Sequence, residues 1–500
     1  MTSHHLNRRK ALITLFSALA GASGHGLAAD AADAWLSSYT PHNGPLKSPL
    51  ESGALRVEGR WPAGLEGTLY RIGPARRTLG GVTMNHWFDG DGMLQAFRFR
   101  GGQVAHHGRL LATPKLVAEE AAGRLLYSGF AQTLADSLPL AGPDTVNAAN
   151  INLLSLPQSR ELFALWEAGS ALAIDPQSLQ AKGFKVWSPE SKGAPFSAHP
   201  RVAPDGTVWS FGYMPGSGNL LIYEISASGQ LRRQHVMAAP QADMVHDFAI
   251  TEQYLVFLLM PLNFSGAPGG GDLLSRYRWE PKAPLVVQLV HKADFRVQRF
   301  ELPATGVFHL ANAWEEGGTV QVRFVAQPDI LRAMKQMNIG DAAEIDHNAR
   351  NTQSTQWTQI TLNPASRQAV MQPMGPSGVE FPRIHPQLNG LPTQFAVMLS
   401  RSREMDVAVN GFDSVLTLHG ARQRRYSYGK GWIAEEHLYV PTSSSAPEGQ
   451  GWLLGTAYHW PSERTSLSVF NAAAVDAGPV ARVALPYGLP LGLHGQYVAR

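Results

Sequence analysis

Thr207-Val-Trp-Ser-Phe-Gly-Tyr213, then Met214-Pro-Gly-Ser-Gly-Asn219, then Leu220-Leu-Ile-Tyr-Glu-Ile225: two runs of β-branched and aromatic residues flank a segment of Gly, Pro, Ser and Asn. That is the pattern of two strands joined by a turn. Outward from this stretch the pattern recurs at Tyr254–Met260, Leu285–Val290, Thr319–Ala326, Thr393–Ser400, His437–Pro441, Trp452–Trp460 and Ser466–Asn471. Helical periodicity is scarce, with Leu116–Tyr127 and Asp329–Met337 the best candidates. So many short strands predict an all-β architecture: a sandwich, a barrel or a propeller. No strict internal repeat is visible, so pattern alone does not select the propeller. Gly269-Gly270-Gly271 reads as a loop, because a phosphate cradle needs a helix directly after it. No low-complexity linker interrupts residues 29–500, which read as one domain.

Composition narrows the chemistry. The 500 residues are 44% hydrophobic and 16% charged, with a formal net charge of +3. This supports a large core and offers no basic tract for nucleic acid. There is no cysteine, which excludes disulfides, thiolate metal sites and cysteine nucleophiles. A transition metal must therefore be held by His, Asp or Glu. Residues 1–28 read as an export signal: Arg8, Arg9 and Lys10 precede the apolar run Ala11–Ala20, and Gly26-Leu27-Ala28 offers a cleavage site. The apolar run is too short to span a bilayer. Adjacent arginines predict the twin-arginine route, with the general secretory route as the alternative, and a periplasmic mature protein.

Of eighteen histidines, four stand out by their surroundings. They are His199 in Ser-Ala-His-Pro, His246 in Met-Val-His-Asp-Phe, His309 in Val-Phe-His-Leu-Ala-Asn and His494 in Gly-Leu-His-Gly. A lone histidine is ordinarily a hydrogen-bonded polar residue. The last three sit among apolar or small neighbours, where an imidazole costs free energy unless it is paired or metal-bound. None of the intervals is the short His-x-x-x-His spacing of a helix, so the four meet only through tertiary structure. A radial β-array achieves this, because each blade presents an inner strand to one axis.

Nine segments then occur in a telling order. They are Gly67-Thr-Leu-Tyr-Arg-Ile-Gly-Pro74, His86-Trp-Phe-Asp-Gly-Asp-Gly-Met93, Leu165-Trp-Glu167, Ala198-His-Pro200, Val245-His-Asp-Phe248, Phe308-His-Leu-Ala-Asn312, Glu380-Phe-Pro-Arg383, Glu436-His-Leu-Tyr-Val440 and Leu493-His-Gly495. Each is weak alone; together the chain resembles the carotenoid cleavage oxygenases from about residue 45 to the C-terminus. The resemblance implies a seven-bladed β-propeller with a helical and loop dome over the metal face. It implies ferrous iron, Fe(2+), on the axis, held by His199, His246, His309 and His494. Glu167, Glu380 and Glu436 match the family's outer glutamates, with Glu435 a neighbour that competes for the last position. Four neutral imidazoles leave the full metal charge in place, and a carboxylate behind a ligating histidine fixes its tautomer and offsets that charge. Asp89 and Asp91 are expected in a structural turn, and His86, His385 and His437 outside the site. Ile151 matches a position where relatives crowd an open metal coordination site; the alternative is a plain core isoleucine.

The implied reaction is dioxygen-dependent cleavage of a carbon–carbon double bond to two carbonyl products, so the expected partners are an apolar small molecule and O2. Phe130–Pro143 lies where relatives place an apolar dome surface, so peripheral membrane contact is a further expectation; a loop or buried helix is the alternative. Stilbene-cleaving relatives bind a phenol through a Tyr and a Lys. Lys115 matches the Lys, but Asn85 stands at the Tyr position, so half of the clamp is missing. This favours an apocarotenoid or carotenoid over a stilbenoid or other phenylpropanoid. A propeller that binds an apolar ligand without turnover is the remaining reading.

Overall fold

Val208–Tyr213 and Asn219–Ile225 form the expected hairpin, antiparallel from Val208↔Ile225 to Tyr213↔Leu220. Every residue of the first strand is buried, on both faces. A strand reads this way when its sheet is packed between two others. In the structure, a computed structural model that describes residues 48–265, 272–338, 354–405 and 411–500, seven sheets pack in this manner around one axis. The export signal and Gly269-Gly270-Gly271 lie outside the described residues.

Blade 1 runs inward from Leu50–Leu55 through Gln103–Leu110, Asp91–Arg100 and Gly67–Arg76 to His494–Ala499, and thus joins the two ends of the chain. Blades 2 to 6 each have four strands in chain order, with the first innermost: Asn152–Ser155, Arg201–Val202, Phe248–Ile250, Gly306–Glu316 and Val379–Arg383. Blade 7 begins at Trp432–Pro441 and ends on Ala481–Ala484, to which Val57–Gly59 adds an outer strand. The ring is therefore closed at two places, each by pairing an early strand with a late one. Apolar clusters fill the gaps between blades; Phe211 of blade 3 stands edge-on to Phe248 and Phe257 of blade 4.

The predicted strands are all present, with ends shifted by a residue or a few. Strands that escaped the reading are of two kinds. Outer strands such as Arg422–Ser427 are polar and exposed, and inner ones such as Val379–Arg383 and His494–Ala499 are short and interrupted by motif residues. The helix expected over Leu116–Tyr127 is Pro114–Ala122. Thr113 caps it, Pro114 opens it, and Gly123 at φ +66° ends it. The second is Ile330–Lys335, capped by Asp329. These helices and the long connections beside them form the dome. His86 Nε2 contacts Met334 O at 2.9 Å, and Phe130 packs on the cluster that contains Phe308. No helix among the described residues is long and apolar enough to cross a membrane.

Candidate metal centre

Every blade sends one residue to the axis. His494, His199, His246 and His309 come from blades 1, 3, 4 and 5, and Glu167, Glu380 and Glu436 from blades 2, 6 and 7. His199 and His246 each lie two residues before an inner strand, whereas His309, Glu380 and Glu436 lie within them. The three inner strands that carry the latter are all irregular at that point. Register shifts fall between Val307 and Leu310, Glu380 and Arg383, and Ala434 and His437. A bulge re-aims a side chain that regular pleating would send to a blade face. Glu435 and Glu436, adjacent in sequence, are both buried at such a point, Glu436 on His494 and Glu435 on Gly492 N. Phe381 has a left-handed φ of +55° at the same place, and its ring lies 5.1 Å from that of His309 and 5.4 Å from that of His494.

The four imidazoles are buried and each offers a nitrogen within 4.8 Å of the others. Three have a carboxylate behind them. His246 Nδ1 is 2.6 Å from Glu167 Oε2, His309 Nδ1 is 2.6 Å from Glu380 Oε2, and His494 Nδ1 is 2.9 Å from Glu436 Oε1. In each case Nδ1–H donates and Nε2 is left bare. His309 Nε2 and His494 Nε2 then face each other at 3.2 Å, with no proton between two neutral rings. His199 Nε2 lies 3.0 Å from His246 Nε2. Between His309 and His494 two lone pairs at such a distance repel, and a cation between them removes the repulsion. Formal charge agrees. Among the described residues, Arg71 pairs with Glu435 and Glu436 and Arg383 with Glu436, whereas the ion-pair partners of Glu167 and Glu380 are imidazoles; four carboxylates against two guanidiniums leave two negative charges for one divalent ion to cancel. The donor set therefore fits a divalent metal, and all-imidazole ligation suits iron, zinc, copper or nickel.

Electrostatics differ around the ring. Burial, then the neighbouring imidazoles, push His199 well below the ordinary histidine range. Burial also brings His494 down to about 3, against the pull of Glu436. Burial acts on His246 too, but there the charge and hydrogen bond of Glu167 outweigh it and the net shift is upward. Burial raises Glu436, yet Arg383 at 2.6 Å and His494 reverse this and hold it far below the carboxylate range. The Tyr213 hydroxyl donates to Glu167 Oε1, so that glutamate is gripped on both oxygens.

The remaining candidates fall outside this cluster. His86 and His437 are buried and hydrogen-bonded elsewhere, His437 to Glu435 O at 2.7 Å and Tyr428 Oη at 2.9 Å. His385 Nδ1 accepts from Gln387 N. Glu435 accepts from Gly492 N and leaves His494 to Glu436. Asp91 binds Arg76 and Lys115, and Asp89 accepts from Phe130 N, so the turn is structural. Lys115 sits in an ion-pair cluster. Its Nζ lies 2.9 Å from Asp91 and 3.0 Å from Glu119, so its charge is paired at the start of the dome helix. Asn85 is half-buried and held through its backbone N–H by Gln132. Ile151 is half-buried and directly precedes the inner strand of blade 2, Asn152–Ser155. In the segment Phe130–Pro143, Phe130 packs inward, while Leu138 and Leu140 are exposed. Sequence reasoning missed Tyr213, Arg71 and a role for Arg383. Only Arg71 and Arg383 carried a signal, since both sit inside the motifs.

Comparison with known proteins adds the following. The family model described as retinal pigment epithelial membrane protein matches residues 44–499. The apocarotenoid-15,15'-oxygenase of Synechocystis is 30% identical over 88% of this chain and 92% of its own length. The lignostilbene-α,β-dioxygenase isozyme III of Sphingomonas paucimobilis is 26% identical over 91% of this chain and 95% of its own. Among solved structures, cobalt-substituted Synechocystis apocarotenoid oxygenase superposes with a TM-score of 0.83 at 28% identity, covering 94% of this chain and 99% of that one.

Proposed function

This chain belongs to the carotenoid cleavage oxygenase family, and on that premise we propose that it is an iron(II) dioxygenase that splits a double bond of an apocarotenoid or carotenoid. An enzyme of this family cleaves carbon–carbon double bonds, so the reading as a mere ligand-binding propeller is dropped. The iron ligands in this proposal are His199, His246, His309 and His494, with Glu167, Glu380 and Glu436 as their outer partners. One observation carries it: the bare Nε2 atoms of His309 and His494 face each other while both Nδ1 atoms are committed to carboxylates.

Bound there, ferrous iron supplies the oxygen chemistry that the polypeptide lacks. The chain supplies alignment and dryness. Phe308 stands edge-on to His246, and Phe381 leans on His309 and His494, so apolar rings border the ligand set. Adding both oxygen atoms of O2 across a double bond gives two carbonyls with no net proton, so no protein acid or base is required. The glutamates keep His246, His309 and His494 in the tautomer whose Nε2 is free.

A polyene is favoured over a phenol because Lys115 is already neutralised by Asp91 and Glu119, and Asn85 is not a phenol partner of the Tyr type. Apolar burial alone holds a polyene, at ~25 cal/mol per Å². Likeness to the lignostilbene dioxygenase supports a stilbenoid as the second reading. Export to the periplasm by the twin-arginine route, and membrane contact through exposed Leu138 and Leu140, belong to the same proposal. The test incubates iron-loaded protein with a panel of apocarotenals and 4-hydroxystilbenes, in air and without oxygen, and identifies the aldehydes. Faster oxygen-dependent cleavage of apocarotenals is expected. Faster stilbene cleavage selects the second reading, and no cleavage of either class sinks both.

A further inference from the structure

Inner strands of a propeller have one edge with no sheet neighbour, so their N–H and C=O groups must find partners elsewhere. At three of the four histidines those partners are one ion pair. Arg201, two residues after His199, places Nη2 2.7 and 2.6 Å from the two oxygens of Asp247, the residue after His246. The same guanidinium donates through Nε to Phe248 O at 2.7 Å and through Nη2 to Leu310 O at 2.7 Å, Leu310 being the residue after His309. Asp247 in turn accepts from Phe248 N at 2.8 Å and Leu310 N at 2.8 Å. Asp247 is 2% exposed and Arg201 15%. Both peptide groups of Leu310, at the irregular point of its strand, are thus claimed by this pair.

We propose that Arg201 and Asp247 are positioning residues of the metal centre: a buried staple that fixes the backbones of His199, His246 and His309 in ligating arrangement before any metal arrives. Neither touches a ligand nitrogen. The planar fork of arginine reaches a carboxylate and two carbonyls at once, which a lysine point charge does not. The fourth histidine lies outside the staple. This rests on the metal reading above, and the test separates the two.

The test uses the mature full-length protein with Co2+ as probe. Asp247→Asn keeps size and removes charge; Arg201→Lys keeps charge and removes the fork. Each should weaken Co2+ binding ~10–100-fold, as for other groups behind metal ligands, and shift the d–d absorption of bound cobalt, while leaving the circular dichroism of the fold intact. Asp91→Asn, which breaks the ion-pair cluster of the dome, should lower the melting temperature without changing Co2+ affinity. Hydrogen exchange on the metal-free wild type reads the staple directly. The amides of Phe248 and Leu310 should already be protected, and fast exchange that slows only after Co2+ is added overturns the proposal. So does wild-type cobalt affinity and spectrum in both staple variants. Failure of the wild type to bind Co2+ would remove the metal reading, and amide protection would still decide whether the staple pre-forms.

Discussion

On one side of the axis, His199, His246 and His309 come from the consecutive blades 3, 4 and 5 and are joined through Arg201 and Asp247. On the other side, His494 stands on the last strand, paired with Gly67–Arg76 at Ile72↔His494, and leans on Glu436 of blade 7. Arg71, itself in Gly67–Arg76, donates to Glu436 O at 2.8 Å. The arc is thus assembled within one continuous stretch of chain, whereas the seam joins residues more than four hundred positions apart. Closing so long a loop costs conformational entropy that local contacts do not. The difference teaches that three ligands are a property of neighbouring blades, and the fourth is a property of ring closure. Metal binding should therefore latch the ring as well as fill the site, since anything that binds only the closed state stabilises it.

The largest expected effect tests that division directly. His246→Ala removes a ligand from the stapled arc and should abolish binding of Co2+ in calorimetric titration. His494→Ala leaves three tied imidazoles, a number that suffices for metal in other proteins, and should keep weak affinity although oxygenase activity is lost. Equal affinities in the two variants would break the comparison.

A smaller effect concerns the carboxylates. Glu436→Gln and Glu167→Gln should each weaken metal binding ~10–100-fold. Only the first should also clearly lower the stability of the metal-free protein, because it removes a carboxylate shared by two guanidiniums. Arg383 loses its carboxylate partner, and Arg71 keeps Glu435 at 3.7 Å but loses Glu436. Glu167→Gln disturbs the bonds to Tyr213 and His246 but strands no guanidinium, so it should cost less, about 1 kcal/mol per weakened bond. Urea melts of the two metal-free variants check this, and equal midpoints would show the seam to be no more charge-dependent than the arc.

The smallest effect is the response to acid. His494, His437 and His106, all in blades 1 and 7, are held down to about 3 by burial. Each is neutral in the fold and binds a proton once unfolded, so between about pH 6.5 and 3 the unfolded chain takes up more protons and stability falls as pH drops. In the arc, His199 has the same sign, but the upward shift of His246 has the opposite one. Metal-free protein moved from about pH 7.5 to about pH 5 should therefore lose amide protection in blades 1 and 7 before blades 4 and 5. Loss in the reverse order would place the weak point in the arc.

Strand-rich patterning determined the all-β class without help, because apolar runs and turn residues are local signals. The four histidines and three glutamates were legible through ordered motifs, and the structure brings all seven together, one from each blade. What residues 114–123 do was only half legible: the Thr113 cap and Gly123 stop were present in the sequence, but the ends were misjudged. Other features had no local signature. That Glu436 and not Glu435 meets His494 depends on a bulge. That Lys115 is spent on Asp91 and Glu119 depends on how the dome helix docks. Tyr213 reaches Glu167 from a different blade. Sequence determines which groups are available to ligate or to pair, since that is a matter of side-chain chemistry. Only tertiary structure decides which of them meet, because hydrogen bonds of under 3 Å between distant blades are set by packing and register, and neither is written at any single position.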